Sequence, residues 1–115
     1  MTIKRINAGP RMSGAVVHGN TVYLAGQVAD DGSADMKGQT KQVLARIDKL
    51  LAEAGTDKSK LLSANIWITD MKNFAEMNAV WDGWVSAGNT PARATVEAGL
   101  AAPPYSVEIM VTAAR

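Results

Sequence analysis

Two amphipathic patterns in the middle of the chain constrain its fold more than any other feature. Apolar residues recur at helical spacing from Val43 to Ala54, which predicts a helix with one buried face. Apolar and polar residues then alternate between Leu62 and Thr69, which predicts a strand with one strongly apolar face. Because each apolar surface needs a partner, we expect the helix to cover one face of a sheet.

Weaker patterns predict further elements on both sides of this pair. Asn73 and Glu76 have the spacing of a capping box, although Asn replaces the usual Ser or Thr, and a second helical stripe follows them as far as Val85. The additional predicted strands are Val16–Val17, Val22–Ala25, Ala92–Glu97 and Val107–Thr112. The predicted order of elements is therefore β-β-α-β-α-β-β.

This order predicts an α+β fold with a mixed sheet and both helices on one face. Strand–helix–strand crossovers imply parallel neighbours, whereas hairpins at the two ends imply antiparallel ones. The second face of the sheet then lacks a cover within the chain, and Trp67, Val107, Ile109 or Val111 are available to it. Such a sheet needs a partner, so we predict a homo-oligomer with sites between its subunits.

Length and charge narrow the class of protein. A chain of 115 residues has room for one domain, which we assign to residues 1–115. The 12 Lys and Arg residues against 11 Asp and Glu give a net charge of +1, too small for the basic face that binds nucleic acid or an anionic membrane. No apolar run approaches the roughly 20 residues of a membrane helix. Nucleic acid and membrane are therefore not expected as partners.

Few residues are available for metal or covalent chemistry. The chain has no Cys and a single His, His18, which excludes disulfides, thiol nucleophiles and multi-histidine metal sites. Its glycines match neither of the common phosphate-binding motifs. The N-terminus lacks the apolar run of a signal peptide. We therefore expect a cytoplasmic protein.

Arg93 has the most suggestive setting among the charged residues. It lies near the start of the predicted strand Ala92–Glu97, is flanked by small residues, and shares one strand face with Thr95 and Glu97. A guanidinium offers two parallel donors of fixed geometry, so this position suits the carboxylate of a ligand. A structural salt bridge is the alternative that spacing alone favours.

Several motifs together resemble those of a known family. The string Thr90–Glu97, which contains Pro-Ala-Arg, is followed by a loop with two prolines and by Val107–Ile109. Upstream of it lie Asn7–Pro10 and Gly26–Val28. In this order the motifs resemble the signature of the Rid superfamily, also called the YjgF family of reactive imine and enamine deaminases. The resemblance covers nearly the whole chain.

This resemblance implies a chorismate-mutase-like fold and a homotrimer, in which the sheets form a central barrel and three active clefts lie between subunits. It also implies that Arg93 binds the carboxylate of a 2-imino or 2-amino-2-alkenoic acid. Main-chain groups of Thr95 and the region of Gly26 would line the same cleft, with Arg11 at its mouth. The implied reaction is hydrolysis of the imine to a 2-oxo acid and ammonia, as in 2-iminobutanoate and 2-iminopropanoate deaminases, without a cofactor.

The chain departs from the best characterised branch of that family at four positions. Arg11 stands where that branch has Tyr, Ala25 where it has Ser, and Thr95 where it has Cys. Met110 replaces the catalytic Glu, and a methionine cannot polarise a water molecule. Glu108 is the obvious substitute, although a step of two residues moves a side chain about 7 Å along a strand.

Two functions stay open at this point. The first is a deaminase that works more slowly than relatives that keep the Glu, because loss of a general base typically costs about 10²–10⁴ in rate. The second is a trimeric protein that binds a carboxylate or another small metabolite through Arg93 without turning it over. RNA cleavage, a third possibility, is disfavoured by the low net charge, the few aromatic residues and the single His18.

Overall fold

The computed structural model describes residues 1–115, which form six strands and two α-helices. In chain order the elements are β1 (Ile3–Ile6), β2 (Ala15–His18), β3 (Thr21–Leu24), α1 (Met36–Glu53), β4 (Leu61–Ile68), α2 (Phe74–Trp84), β5 (Ala92–Glu97) and β6 (Val107–Ala114). Short 3₁₀ turns at 58–60 and 71–73 lead into β4 and α2. Neither helix combines the length and the hydropathy that a membrane span requires.

All six strands belong to one mixed sheet with the order β1-β2-β3-β6-β4-β5. Strands β4 and β5 are parallel, and every other neighbouring pair is antiparallel. The predicted α+β class with a mixed sheet is confirmed. Two expectations of neighbouring strands are wrong, because the last strand of the chain, β6, lies between β3 and β4. The crossover β3-α1-β4 does not join neighbours, and β5 and β6 do not form the expected C-terminal hairpin.

Strand β1 is an element that was not predicted from the sequence. It pairs with β2, so that Ile3 lies opposite His18 and Ile6 opposite Ala15. Only Ile6 of its four residues is buried, and the strand therefore lacks the alternating apolar pattern that would have revealed it. Its position at the edge of the sheet explains this exposure.

Helix α1 confirms the first helical pattern. All the apolar residues of the predicted stripe are buried, namely Val43, Leu44, Ile47, Leu50, Leu51 and Ala54. The helix begins after Asp35, whose carboxylate accepts a hydrogen bond from the Gly38 N–H at 2.8 Å. Beyond the end of the helix, Gly55 adopts a φ of +83°, the left-handed conformation that favours glycine after a helix.

Helix α2 begins differently from the prediction. Asn73 precedes the helix, but its side chain makes no capping hydrogen bond, so the predicted capping box is wrong. Asn73 already belongs to the preceding 3₁₀ turn, and its φ of −95° and ψ of 10° are not the extended values from which a capping side chain reaches back. Asp70 caps that turn instead, because its carboxylate accepts a hydrogen bond from the Lys72 N–H at 2.9 Å.

Both helices pack on the same face of the sheet and leave the other face open. Val107, Ile109 and Val111 of β6 lie in the core under the helices, each at most 1% exposed, so the expectation that they were available to the second face is wrong. Glu108 alternates with these residues and therefore points to the open face. Trp67, which lies opposite Glu108 in β4, points to the open face as expected.

Two glycines predict opposite effects of the same substitution on stability. The positive φ of Gly55 means that Gly55→Ala should lower the free energy of unfolding by about 1 kcal/mol. Gly83 lies within α2, where a methyl group would meet no neighbouring atom within 4 Å. Gly83→Ala should therefore raise the free energy of unfolding by about 0.5–1 kcal/mol. Urea denaturation at one fixed protomer concentration measures both, and loss of stability in both variants would contradict the prediction.

Candidate functional site

Arg93 lies on the edge strand β5 and faces helix α2. In the parallel register it is level with Ala64 of β4, which is buried under the helices, so both side chains share that face of the sheet. The Arg93 guanidinium lies 5.3 Å from the ring centre of Trp81 and 6.0 Å from that of Phe74. These cation–π contacts hold the guanidinium against α2 and restrict its rotamers.

Arg93 has no carboxylate partner within the chain. Both ion pairs of the structure involve other residues. Glu97, which shares the strand face with Arg93, instead accepts a hydrogen bond from the Met71 N–H at 2.8 Å. The structural salt bridge that spacing favoured is therefore not formed within one chain. The two parallel donors of the guanidinium stay free for an external carboxylate.

Two buried polar atoms without a hydrogen-bond partner lie on the surfaces that flank this arginine. They are Oγ1 of Thr95 and Oδ1 of Asn78. Thr95 follows Arg93 on the same strand face, and Asn78 lies one helical turn from both Phe74 and Trp81. Because buried polar atoms are nearly always hydrogen-bonded, two unpaired ones indicate a place for a ligand or water. We call Arg93, Thr95, Phe74, Asn78 and Trp81 together the arginine site.

Gly26 lies against the carboxylate of Glu108 on the other side of the sheet. A methyl group on Gly26 would overlap a carboxylate oxygen of Glu108 and come within 3.0 Å of its Cδ. The adjacent Gln27 forms an isolated antiparallel bridge with Ile109 of β6, which holds the segment beside that strand. No side chain fits at Gly26 unless Glu108 moves. We call Gly26 and Glu108 the glycine site.

Arg11 and Met110, the other two positions of interest, are both exposed. Arg11 lies in the loop between β1 and β2 and belongs to neither ion pair of the structure. Its neighbour Met12, together with Gly26, lines a pocket of about 560 Å³ beside α1. Met110 lies on the open face and is 37% exposed. Position 108, and not position 110, therefore supplies the carboxylate next to Gly26.

The arginine site and the glycine site do not meet within one chain. They lie on opposite faces of the sheet, and β4 separates β5 from β6. Two strand spacings of about 4.8 Å place them about 10 Å apart across the sheet, in addition to its thickness. A small carboxylate bound to Arg93 therefore cannot contact Glu108 of the same chain.

Two acidic residues outside these sites have shifted pKa values. The hydroxyl and the backbone N–H of Ser33 donate hydrogen bonds to the Asp31 carboxylate and hold its pKa below the usual value. Ser59 lowers the pKa of Asp57 in the same way. Both carboxylates belong to exposed turns, where these hydrogen bonds are local. No three His, Asp or Glu side chains lie close enough together to hold a metal ion.

Two features of the site were missed in the sequence, for different reasons. The contact of Arg93 with aromatic rings could have been predicted from the sequence, because a helix that crosses between two parallel strands packs over both. The stripe that contains Phe74 and Trp81 therefore had to face β5 as well as β4. The contact between Gly26 and Glu108 had no such signal, since it depends on β6 returning from the far end of the chain to lie beside β3.

Comparisons with known proteins identify the family. The model of the family described as endoribonuclease L-PSP matches residues 2–115. The RutC family protein YoaB of Escherichia coli strain K12 is 48% identical over 114 residues, which are 99% of each chain. A RutC family protein of Haemophilus ducreyi is 46% identical over 112 residues, or 97% of this chain and 96% of that protein. The chain therefore belongs to the endoribonuclease L-PSP family, which is the Rid or YjgF family that its motifs resemble.

Solved structures of relatives share this fold. A member of the YjgF protein family from Neisseria meningitidis is 49% identical and has a TM-score of 0.97, with 100% of this chain and 96% of that chain covered. A Rid family protein of unknown function from Yersinia pestis is 32% identical and has a TM-score of 0.86, with 94% and 90% covered. The arrangement that separates the arginine site from the glycine site is thus built on the common fold of the family.

The glycine site predicts an energetic coupling between its two residues. Gly26→Ala should lower the free energy of unfolding by only about 1 kcal/mol, because the overlapped carboxylate ends a flexible side chain that can move aside. The decrease in the free energy of unfolding caused by Gly26→Ala should be smaller by at least about 0.5 kcal/mol when Glu108→Ala is also present. Urea denaturation of the two single variants and the double variant measures this coupling. Gly99→Ala, where a methyl group meets no neighbour within 4 Å, is the control. Additive effects at Gly26 and Glu108 would show that the contact does not exist.

Proposed function

We propose that the protein hydrolyses reactive 2-imino acids and their enamine tautomers, such as 2-aminoacrylate, to 2-oxo acids and ammonia. Membership of the Rid family supports this class of reaction. The observation that carries the proposal is the Arg93 guanidinium, which rests on Trp81 and Phe74 and has no partner among the carboxylates of its own chain. A guanidinium that is held in place and keeps its donors free is suited to bind a small carboxylate through two parallel hydrogen bonds.

The proposed active cleft lies between subunits of a homotrimer, where the arginine site of one subunit adjoins the glycine site of another. Two observations support this assembly. The open face of the sheet exposes large apolar side chains, among them Tyr23 at 49% and Met110 at 37%. The two sites also cannot meet on a single chain, whereas a second copy can bring the missing one. Arg11, in its exposed loop, is the proposed mouth of the cleft.

In the proposed reaction, Arg93 binds the substrate carboxylate and thereby fixes the position of C2. A water molecule attacks C2, so that its oxygen forms the new C–O bond while its protons pass to nitrogen. The C–N bond then breaks, ammonia leaves and the 2-oxo acid remains. Because such imines already hydrolyse in water, orientation of the two reactants accounts for much of the acceleration. Thr95 Oγ1 and Asn78 Oδ1 are buried without a hydrogen-bond partner, and we propose that they hydrogen-bond the substrate or the water.

We assign the role of general base to Glu108. The resemblance of the motifs implies that Met110 stands at the position of the family's catalytic Glu, and a methionine cannot accept a proton from water. The Glu108 carboxylate lies against Gly26, the residue expected to line the cleft. It can take a proton from the attacking water and return it to the departing nitrogen. Glu108 thus replaces the missing carboxylate from the same strand face, two residues earlier.

Carboxylate binding without turnover is the second candidate, and Met110 is the observation that favours it. This function requires the same Arg93 but leaves the decay of the imine unchanged. The description of the family model names an endoribonuclease. We do not propose RNA cleavage for this chain, because its net charge of +1 gives no electrostatic basis for holding a polyanion.

Substitution of Arg93 tests the proposed reaction. An amino acid oxidase acting on alanine generates 2-iminopropanoate, semicarbazide traps the free imine, and the loss of trapped product reports enzymatic hydrolysis. Arg93→Ala should lower the acceleration about 10²-fold, because two charge-assisted hydrogen bonds to the substrate are lost. Arg93→Lys should retain part of it. Arg5→Ala, an exposed arginine in β1, is the matched control. If the wild-type protein binds 2-iminopropanoate but does not accelerate its decay, the proposed hydrolysis is wrong and carboxylate binding without turnover is the function.

Substitution of Glu108 tests the assigned base. Glu108→Gln keeps the shape of the side chain but cannot accept the proton, so the turnover rate should fall about 10²–10⁴-fold while KM changes little. Met110→Gln, on the same strand face, is the control and should leave the rate within about threefold of the wild type. A Glu108→Gln protein with full activity would overturn the assignment and leave orientation alone as the source of catalysis.

A further inference from the structure

A second cavity lies between the two helices, apart from both sites described above. It is a groove of about 600 Å³ bounded by α1, α2 and the turn at 58–60. Small residues keep it open, namely Ala45 of α1 together with Ala79 and Gly83 of α2. At Gly83 even an added methyl group would meet no neighbouring atom within 4 Å. This volume is in the range of small-molecule binding sites.

Three lysines surround the groove without a carboxylate partner. Lys37 and Lys41 lie one turn apart on α1, and Lys58 lies in the turn before β4. Neither ion pair of the structure involves them. Asp48, the only acidic residue of the lining, accepts a hydrogen bond from Nε1 of Trp84 at 2.9 Å. The groove therefore presents an excess of positive charge to any occupant.

Trp84 provides a flat apolar wall that is held in place on several sides. The hydrogen bond to Asp48 fixes the indole N–H, and the Lys58 ammonium lies 5.3 Å from the ring centre. Trp81 contacts Trp84 with a distance of 5.4 Å between ring centres. Trp81 is also the ring under Arg93, so the contact between the two tryptophans connects the groove to the arginine site. A fixed indole beside lysines suits a ligand that has a ring next to negative charges.

We propose that this groove is a second binding site, for an organic anion that carries two or more negative charges next to a flat ring, as a nucleoside diphosphate does. Lys37, Lys41 and Lys58 bind the charged groups, and Trp84 stacks against the ring. The imino acids of the proposed reaction carry a single carboxylate and no such ring, so they are not the ligand of this groove. The inference does not depend on the deaminase reaction.

Calorimetric titration with ADP, pyrophosphate and adenosine tests the proposal on the wild-type protein. ADP should bind at least about tenfold more tightly than either fragment, because only ADP combines the charges with the ring. Raising the salt concentration should weaken its binding. Binding of ADP no tighter than that of pyrophosphate would overturn the proposal, as would no binding at millimolar concentration.

Paired variants locate the binding. Lys37→Gln combined with Lys41→Gln should weaken ADP binding at least about tenfold. Lys49→Gln combined with Lys72→Gln removes the same charge away from the groove and should leave the affinity within about twofold. Gly83→Leu, which fills the groove from a helical position, should abolish binding while circular dichroism shows the fold intact. Equal losses in the two lysine pairs would mean that only the overall charge matters, and this result would overturn the proposal.

Discussion

The uncovered face of the sheet is the constraint from which most other features of this protein follow. Helices α1 and α2 pack on one face, where Val107, Ile109 and Val111 are buried, and the chain has no further helix for the other face. Tyr23 and Met110 are therefore left half-exposed. An exposed apolar face of this kind indicates an interaction surface, and we propose that other copies of the same chain cover it.

The same constraint divides the candidate site. Arg93 faces the helices from the edge of the sheet, whereas Glu108 faces away from them. In the proposed reaction each half supplies what the other lacks, because Arg93 binds the substrate carboxylate and Glu108 acts as the general base. A second copy whose open face meets the β5 edge of the first would bring the two halves together, which is why we propose a cleft between subunits. The aromatic rings under Arg93 hold the guanidinium without using its hydrogen-bond donors, whereas a salt bridge would use them.

The sequence predicted the features that depend on local periodicity and missed those that depend on distant pairing. Helix α1 was predicted through its continuous apolar stripe. Alternation in β6 correctly indicated two faces, but periodicity cannot tell which face the helices cover, and Ile109 was assigned to the wrong one. Arg93 was identified by its motif. The placement of Glu108 against Gly26 could not be predicted, because it requires the register of β6 beside β3.

Subunit mixing tests the shared cleft most directly. Arg93→Ala and Glu108→Gln chains are first tested separately for imine hydrolysis. The two chains are then produced together with different tags, and oligomers that carry both tags are isolated. Some interfaces in a mixed trimer combine an intact Arg93 with an intact Glu108 of the neighbouring subunit. One of the three interfaces in each mixed trimer is of this kind, so the isolated oligomers should show about a third of the wild-type activity, although each variant alone is nearly inactive. Mixed oligomers that stay as inactive as the separate variants would contradict a site shared between subunits.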